Sequence, residues 1–369
     1  MMLEQCPACP RLVAETDRFC EACGHDLNTP APASISDSSD STTASTAAAA
    51  PAVAAARWLS SAGQPGTCPG CGGTAFGPEG YCDTCGQRRP SGLDHSELDL
   101  GVLAAVTDKG KRHHNNEDAV ALVLTAHALV AVVCDGVSSS NRPDVASHGA
   151  VDAAAAALIA ALERREPAGD AIGAATRAAQ AAAALAGGPE PGPNPPSSTF
   201  VCAVVAKDAV TVGWVGDSRA YWLPDEPVRD KPIHDKPIHD EPIHDEPVYD
   251  EPACLTVDDS LAGQLAAAGR TVPDDIPRSS AAALLRWLGA DAPETTPHLY
   301  AFTPTGPGRV LVCSDGLFRY RPDAADLAAS TPRHDPLTTA RALVQLALDA
   351  GGQDNITVAV LPYPPEESP

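Results

Sequence analysis

The chain has 369 residues, a formal net charge of −23 and a pI near 4.7. This acidity argues against non-specific nucleic-acid binding, which neutralises phosphates with Lys and Arg, and against anionic membrane surfaces. The sequence shows no apolar stretch near the roughly 20 residues of a membrane span and no signal peptide. We therefore expect a cytoplasmic protein with neither nucleic acid nor membrane as a partner.

The N-terminal part contains an internal repeat of cysteine pairs. Both copies, residues 6–27 and 68–89, read CxxC, ten residues, CxxCG. Four thiolates at this spacing suit tetrahedral Zn2+, and each unit is too short to fold on its own core. The alternative, a redox CxxC pair, lacks the surrounding βαβ pattern. We predict two structural Zn2+ ions, one held by Cys6, Cys9, Cys20 and Cys23 and the other by Cys68, Cys71, Cys82 and Cys85.

Composition divides the rest of the chain. The predicted parts are zinc ribbon 1 (1–27), a Ser, Thr, Ala and Pro-rich flexible linker (28–65), zinc ribbon 2 (66–89), a polar linker (90–99), one large domain (100–362) and a tail (363–369). Inside the large domain, residues 224–252 repeat an Asp-Lys/Glu-Pro-Ile-His pentad. Its regular prolines exclude a helix or a central strand, so we predict a solvated insertion. Its histidines could bind metal, although a low-complexity loop is the simpler interpretation.

From residue 100 onward, strand and helix patterns alternate. The predicted strands are 101–107, 118–125, 129–135, a hairpin over 198–217 that turns at Lys207-Asp208, 298–304, 309–316 and 355–362. The predicted helices are 145–162, 172–186, two segments between 262 and 288, and 336–350. Four further cysteines lie in or beside apolar runs, where we expect them to be small buried hydrophobes: Cys134, Cys202, Cys254 and Cys313.

Aspartates stand at the ends of the apolar runs. Asp135, Asp217 and Asp315 follow strands, whereas Asp118 opens a strand and Asp354 precedes the last one. If the strands lie side by side, their ends bring these acids together, and carboxylates in one cleft repel unless a cation lies between them. An all-oxygen cluster favours Mg2+ or Mn2+.

The motifs NNEDA, CDG, SST, GDSRAYWL, LTVDDS, LVCSDGL and DNITVAVL resemble, in this order, those of the PPM, or protein phosphatase 2C-type, metal-dependent serine/threonine phosphatases. The resemblance covers about 101–362, apart from the pentad insertion. It implies an α+β fold, a four-layer αββα sandwich of two antiparallel sheets flanked by helices. It also implies hydrolysis of phosphoserine and phosphothreonine by a water activated at a binuclear Mn or Mg centre. The substrates would be phosphoproteins, such as a Ser/Thr kinase or its targets.

The resemblance also assigns roles in a site of two or three Mn2+ or Mg2+ ions. Asp135 would bridge the two central metals, and the Gly136 carbonyl would bind one of them, while Asp315 and Asp354 would bind the other. Glu117 and Asp118 would act through metal-bound water, and Asp217 would help to bind a weaker third metal. The resemblance requires no Cys nucleophile. Arg219 of the GDSR motif is expected to pair with an acid of the core.

Several positions depart from the family pattern. The chain reads DGVSSS (135–140) where the family often has DG, then His or Met, then two glycines. His113 replaces the phosphate-binding Arg, so we assign phosphate binding to Arg112 or His113, with His114 as a further candidate. SST replaces Gly-Ser/Thr-Thr, and Asp259 replaces a His. These departures motivate an alternative function, a catalytically weak or inactive scaffold whose zinc ribbons bind protein partners.

Overall fold

The computed structural model describes residues 3–5, 12–14, 56–61, 84, 94–190, 192–225, 251–293 and 295–365. The chain divides into two compact units, Met1–Ala52 and Val53–Pro369. In the first unit, strands β1 (Leu3–Gln5) and β2 (Leu12–Ala14) form an antiparallel pair. The eight cysteines of the predicted zinc ribbons and residues 226–250 of the pentad repeat lie outside the described residues, so those two predictions stay predictions.

The second unit contains the remaining elements. Its strands are β3 (Arg57–Ser60), β4 (His95–Asp99), β5 (Ala104–Asp108), β6 (Asp118–Leu124), β7 (Ala128–Asp135), β8 (Ser197–Ser198), β9 (Phe200–Ala206), β10 (Val210–Val215), β11 (Arg219–Pro224), β12 (Ala253–Cys254), β13 (Leu288–Gly289), β14 (His298–Phe302), β15 (Gly308–Cys313) and β16 (Ile356–Tyr363). Its helices are α1 (Pro143–Glu163), α2 (Ala168–Ala186), α3 (Leu261–Ala267), α4 (Arg278–Ala281), α5 (Asp315–Phe318), α6 (Ala324–Ser330) and α7 (Pro336–Asp349).

Two six-stranded antiparallel sheets form the centre of this unit. The first sheet has the strand order β14-β10-β9-β7-β6-β3, and the second has the order β12-β11-β15-β16-β5-β4. Successive side chains of a strand point to opposite faces. In β6, for example, Val120 and Leu122 pack between the sheets, whereas Ala119 and Ala121 pack against helices. Both faces of the central strands are therefore apolar.

Helices cover the outer face of each sheet. Helices α1 and α2 pack on the first sheet around Leu158 and Ile172. Helices α5, α6 and α7 share a second outer cluster with Leu311 and Val358 of the second sheet. The layer order is helix, sheet, sheet, helix, which confirms the αββα architecture predicted for the large domain.

Two edge strands lie in segments that composition assigned to linkers. β3 pairs with β6 inside the predicted 28–65 linker, and β4 pairs with β5 inside the predicted 90–99 linker. The linker assignment is wrong for these residues because the exposed edges of the two sheets offer unpaired backbone groups to any adjacent extended segment. Ser61 extends the β3 pairing, since the amide of Val120 donates to its hydroxyl at 2.9 Å.

Two local predictions in the large domain also need correction. The second helical segment predicted before residue 288 ends early, because α4 stops at Ala281 and Leu288 instead pairs with Ser198 as part of β13. Among the four other cysteines, three are buried as expected, whereas Cys254 is exposed because β12 lies at the edge of the second sheet.

Helix α1 is long and apolar enough to cross a membrane by length and composition alone, with a mean hydropathy of 1.6. The expectation that no apolar stretch approaches a membrane span is therefore wrong. Its apolar character has a local explanation, because its buried alanines and Leu158 pack against β6 and β7. A core helix enclosed on one side by a sheet needs the same composition.

Candidate metal centre and active site

Strand register brings two of the predicted acids opposite each other. Asp118 opens β6, Asp135 ends β7, and the two are direct partners in the antiparallel ladder. They lie on the strand face of Val120 and Val133, which points into the space between the sheets. Like charges directly opposite on one face repel, so this pair needs compensation from elsewhere.

Hydroxyl groups of the second sheet reach Asp118. Its Oδ2 accepts hydrogen bonds from the hydroxyls of Ser314, at 2.6 Å, and Thr357, at 2.8 Å. Its Oδ1 is buried and has no hydrogen-bond partner in the described part of the chain. Burial raises the pKa of Asp118 to about 7, although the two hydroxyls act in the opposite direction. One oxygen of this carboxylate therefore lacks the partner that a buried charge requires.

A small polar network fixes these hydroxyls. Thr357 shares a 2.7 Å hydrogen bond with Thr107, which also accepts from the side-chain amide of Asn116 at 2.8 Å. The backbone amide of Thr357 donates to the Ser314 hydroxyl at 3.0 Å. The network connects three strands of the second sheet with the Asp118 end of the first sheet, so it sets the spacing between the two sheets at the site.

The second sheet contributes two more acids. Asp315 begins α5 directly after β15, and Asp354 precedes β16. Nη2 of Arg319 donates to Oδ2 of Asp315 at 2.6 Å and to Oδ2 of Asp354 at 3.0 Å. Nε2 of His113 lies 3.1 Å from Oδ1 of Asp354. Burial and then the charge of Asp354 raise the pKa of Asp315, while Arg319 acts against both.

Asp135 and Asp217 lie close enough to the other aspartates for their charges to interact. Burial raises the pKa of Asp135 well above its ordinary value, and the charges of Asp118 and Asp315 add to the effect. Burial also raises the pKa of Asp217 to about 7, followed by the charges of Asp315 and Asp258. The structure thus collects the five predicted aspartates at one end of the sandwich.

Glu117 and Gly136 complete the predicted set. The Gly136 amide donates to the Glu117 carbonyl at 3.1 Å, and a Cβ at Gly136 would lie 2.8 Å from that oxygen and from Pro143. This close approach requires glycine. The Ser138 hydroxyl donates to Oε2 of Glu117 at 2.6 Å, and it belongs to the DGVSSS segment that differs from the family pattern. Asn355 accepts from the Glu117 amide at 2.8 Å, so the Glu117 loop is held on both sides.

The donor chemistry of this end fits a hard divalent cation. In the stretches that the structure describes, no three His, Cys, Asp or Glu side chains form a preassembled metal-binding group. Even so, the orphaned oxygen of Asp118 and the raised pKa values of neighbouring carboxylates show more buried negative charge than Arg319 and His113 offset. All donors are oxygens, as Mg2+ and Mn2+ prefer. The individual ligand roles predicted from the sequence stay predictions.

The comparisons with known proteins agree with this geometry. Residues 108–244 match the family model described as protein phosphatase 2C, a span that includes Asp118, Asp135 and Asp217. Residues 108–244 are therefore similar to a protein phosphatase 2C domain. The match ends before Asp315 and Asp354, which follow the pentad segment.

The curated proteins that this chain resembles are bacterial. The serine/threonine protein phosphatase PstP of Mycobacterium tuberculosis is 29% identical over 261 residues, 70% of this chain. This chain spans 44% of that relative's length. The serine/threonine phosphatase stp of Listeria welshimeri is 28% identical over 269 residues, 69% of this chain and 93% of its own length.

Solved structures also resemble the domain. The PPM Ser-Thr phosphatase MsPP of Mycobacterium smegmatis, in complex with cacodylate, is 28% identical with a TM-score of 0.50, covering 70% of this chain and 96% of that one. Stp1 of Staphylococcus aureus, 21% identical with a TM-score of 0.53, covers 71% of this chain and 95% of its own and shows the fold alone.

Arg219 pairs with an acid, as expected. Its Nε and Nη2 each lie 2.8 Å from a carboxylate oxygen of Asp258, and its guanidinium stacks on the Phe318 ring at 3.9 Å. The two predicted phosphate-binding residues differ. His113 reaches the acidic end through Asp354, whereas Arg112 is exposed and makes no hydrogen bond or ion pair with the described residues.

Asp259, where the family has His, is buried and belongs to a separate polar cluster. It accepts from the Gly216 amide at 2.9 Å and lies 2.8 Å from Nε2 of His298 and 3.6 Å from Nη1 of Arg286. Because Gly216 precedes Asp217 and adopts a φ of +107°, Asp259 stabilises the turn that carries Asp217.

Sequence reasoning missed the residues that hold the acids. Thr107 and Thr357 are single hydroxyls in apolar strands, and Ser314 follows the apolar strand β15. In the sequence, only their placement on the inward-facing side of the alternating pattern indicates a role. Arg319, the C-cap of α5, was also missed. Its position four residues after Asp315, the spacing of an i,i+4 pair, was the signal that could have found it.

Proposed function

We propose that this chain is a metal-dependent protein serine/threonine phosphatase that hydrolyses phosphoserine and phosphothreonine at a Mn or Mg centre. The observation that carries the proposal is the collection of five aspartates at one end of the sandwich, with a buried Asp118 oxygen left without a partner. The names of the mycobacterial and Listeria relatives support the same reaction.

The residues have distinct tasks in this proposal. Asp135, Asp315 and Asp354, with the Gly136 carbonyl, would hold two cations, and Asp217 would serve a weaker third. When bound, such cations make water a nucleophile at neutral pH and screen the charge of a phosphoryl group. Ser314 and Thr357 orient Asp118, and Asn355 orients Glu117 through the Glu117 backbone amide.

Cysteine chemistry does not fit the site. Cys134 and Cys313 stand next to or near the acids, but both are buried within strands. Burial raises the pKa of each thiol above its ordinary value. A thiol is a poor nucleophile unless it is ionised, so neither residue suits attack on phosphorus. This supports hydrolysis by water.

The test is phosphate release from a phosphothreonine peptide with and without Mn2+. We expect the wild type to require Mn2+ or Mg2+, and Asp135→Asn to lose at least about a hundredfold in kcat/KM. Asp326→Asn is the matched control, since its exposed side chain lies on α6 away from the site. Equal activity of the wild type and Asp135→Asn would contradict the assignment.

A catalytically weak scaffold is the second candidate. Ser138 in place of a family glycine, and the contacts of Arg319 and His113 with Asp315 and Asp354, favour it, because they partner groups that a metal centre needs. The absence of turnover with Mn2+, Mg2+ or any other divalent ion, together with capture of a protein partner, would support this candidate.

The N-terminal cysteines extend the proposal. We propose that they hold two structural Zn2+ ions and shape a docking module for phosphoprotein substrates, such as a kinase or its targets, in a reducing cytoplasm. The repeated spacing in the sequence supports this. Metal analysis of the purified chain tests it, with about two tightly held Zn2+ per chain expected. Alanine at Cys20 and Cys23 should remove one ion and leave phosphate release from a short peptide unchanged.

A further inference from the structure

A basic side chain outside the predicted set reaches the acidic end of the domain. Arg319 directly follows α5 as its C-cap, and its guanidinium contacts Asp315 and Asp354 through Nη2 alone. Nη1 and Nε make no hydrogen bond with the described residues. The side chain is 44% exposed. Arg319 therefore presents donors to solvent at the edge of the site while one nitrogen touches two predicted metal ligands.

The site needs such a donor. A phosphoryl group brings three acceptor oxygens and negative charge to a place already crowded with carboxylates. A guanidinium offers planar paired donors to phosphate oxygens and stays charged at any working pH. The position where the family pattern has its phosphate-binding arginine holds His113 in this chain.

The other basic residues near the site are less suited. His113 offers one ring nitrogen that already lies against Asp354, and Arg112 is exposed without a contact that would fix it toward the acids. Arg219 is held by Asp258 and Phe318. Arg319 alone among these four combines contact with the acids and unpaired donors within the described part of the chain.

We propose that Arg319 binds the phosphoryl group of the substrate, replacing the missing family arginine from a different element. The inference rests on the proposed function. When Asp315 and Asp354 take divalent cations as partners, they no longer require the guanidinium, which can then turn its donors toward the phosphoryl oxygens. In the metal-free protein it offsets the charge of the two acids.

The experiment compares the wild type, Arg319→Gln, Arg319→Lys and Arg321→Gln. Arg321 is the matched control, because it lies two residues away and contacts Ser330 and the Tyr320 carbonyl instead of the acids. Calorimetry measures the binding of Mn2+, and then of inorganic phosphate to the Mn2+-loaded full chain. Peptide kinetics give kcat and KM separately.

We expect Arg319→Gln to bind phosphate roughly ten- to a hundredfold more weakly, with KM raised by a similar factor and Mn2+ binding unchanged or tighter. Arg319→Lys should recover part of the phosphate affinity, since lysine keeps the positive charge but lacks the paired planar donors of the guanidinium. Arg321→Gln should match the wild type.

Three results would overturn the inference: wild-type phosphate affinity in Arg319→Gln, loss of Mn2+ binding in that variant, or no phosphate binding by the Mn2+-loaded wild type. Failure of the proposed function looks different. In that case the Mn2+-loaded wild type would bind phosphate and release none from the peptide, and the binding comparison would still decide the role of Arg319.

Discussion

The acids of the two sheets are compensated in different ways. Asp118 and Asp135, on the first sheet, face each other across the β6–β7 ladder, and the partners of the Asp118 carboxylate are neutral hydroxyls. Asp315 and Asp354, on the second sheet, share the positive charge of Arg319. Asp118 is fully buried, Asp135 is partly exposed, and this first pair is short of positive charge, whereas the second pair is partly exposed and partly neutralised.

This difference indicates which of the two acid pairs depends more on a bound cation. Burial raises the pKa of Asp118 to about 7 and that of Asp135 well above its ordinary value. Ionising both without a cation is costly. The second-sheet pair tolerates ionisation better because a guanidinium lies between its carboxylates. We therefore expect the first sheet to limit the stability of the metal-free protein, and the second sheet to control access of phosphate.

The largest expected effect is a pH dependence of the metal-free protein. The folded-state pKa of Asp118 is raised from 3.8 to about 7, so the folded state binds this proton more tightly than the unfolded chain. The resulting stability is fully present below about pH 4 and is lost as pH rises through about 7. Between these pH values the free energy of unfolding of the wild type should fall by up to about 4 kcal/mol, and that of Asp118→Asn should not show this fall.

Urea unfolding at pH 4 and pH 8, after dialysis against buffer without Mn2+ or Mg2+, measures this difference. Asp326→Asn, with an exposed carboxylate, serves as the control and should follow the wild type. Saturating Mn2+ should restore stability to the wild type at pH 8. An identical pH dependence for the wild type and Asp118→Asn would contradict the claim that the acids of the first sheet lack compensating positive charge.

A smaller effect on stability is expected from Thr357, whose hydroxyl on the second sheet contacts Asp118 on the first sheet. Thr357→Val keeps the shape of the side chain and removes the hydroxyl that contacts Asp118 and Thr107. A hydrogen bond to a charged group contributes about 1.5 to 3 kcal/mol, so the free energy of unfolding should fall by about that amount.

Thr271→Val, at an exposed position after α3, controls for the change of residue type and should leave the unfolding midpoint unchanged. If Thr357→Val is as stable as the wild type, the Thr357 hydroxyl does not hold Asp118.

The smallest effect is expected far from both acid pairs. Arg341 of α7 forms a bidentate contact with Glu97 of β4, and the Arg341 side chain is exposed. Exposed pairs contribute little because water and salt screen them. Arg341→Gln should leave the melting temperature and peptide turnover unchanged, as differential scanning fluorimetry and the peptide assay would show. A large loss would mean that the predicted linker containing β4 is a main support of the fold.

Local patterns predicted much of the fold. The apolar runs ending in aspartate became β7 and β15, and the hairpin turn fell at Lys207-Asp208 between β9 and β10. These signals are local, because alternation and turn residues act over a few positions. The edge strands β3 and β4 were missed, since their pairing depends on partners distant in sequence.

The candidate site was predictable in its acids and not in its supports. Each aspartate stands at a strand end, which is visible in the sequence. The hydroxyl of Thr357 becomes important only because a second sheet places it against Asp118. Arg319 becomes important only because α5 turns it back over Asp315 and toward Asp354. Such contacts depend on packing between elements, which composition and periodicity do not encode.

The central claim is that the five aspartates form a site for divalent cations. Calorimetric titration of Mn2+ into the full chain, beside Asp135→Asn and Asp326→Asn, tests it most directly. The account predicts at least two Mn2+ per wild-type chain, the same for Asp326→Asn, and loss of the tighter binding in Asp135→Asn. Equal Mn2+ binding by all three proteins, or none by the wild type, would contradict it.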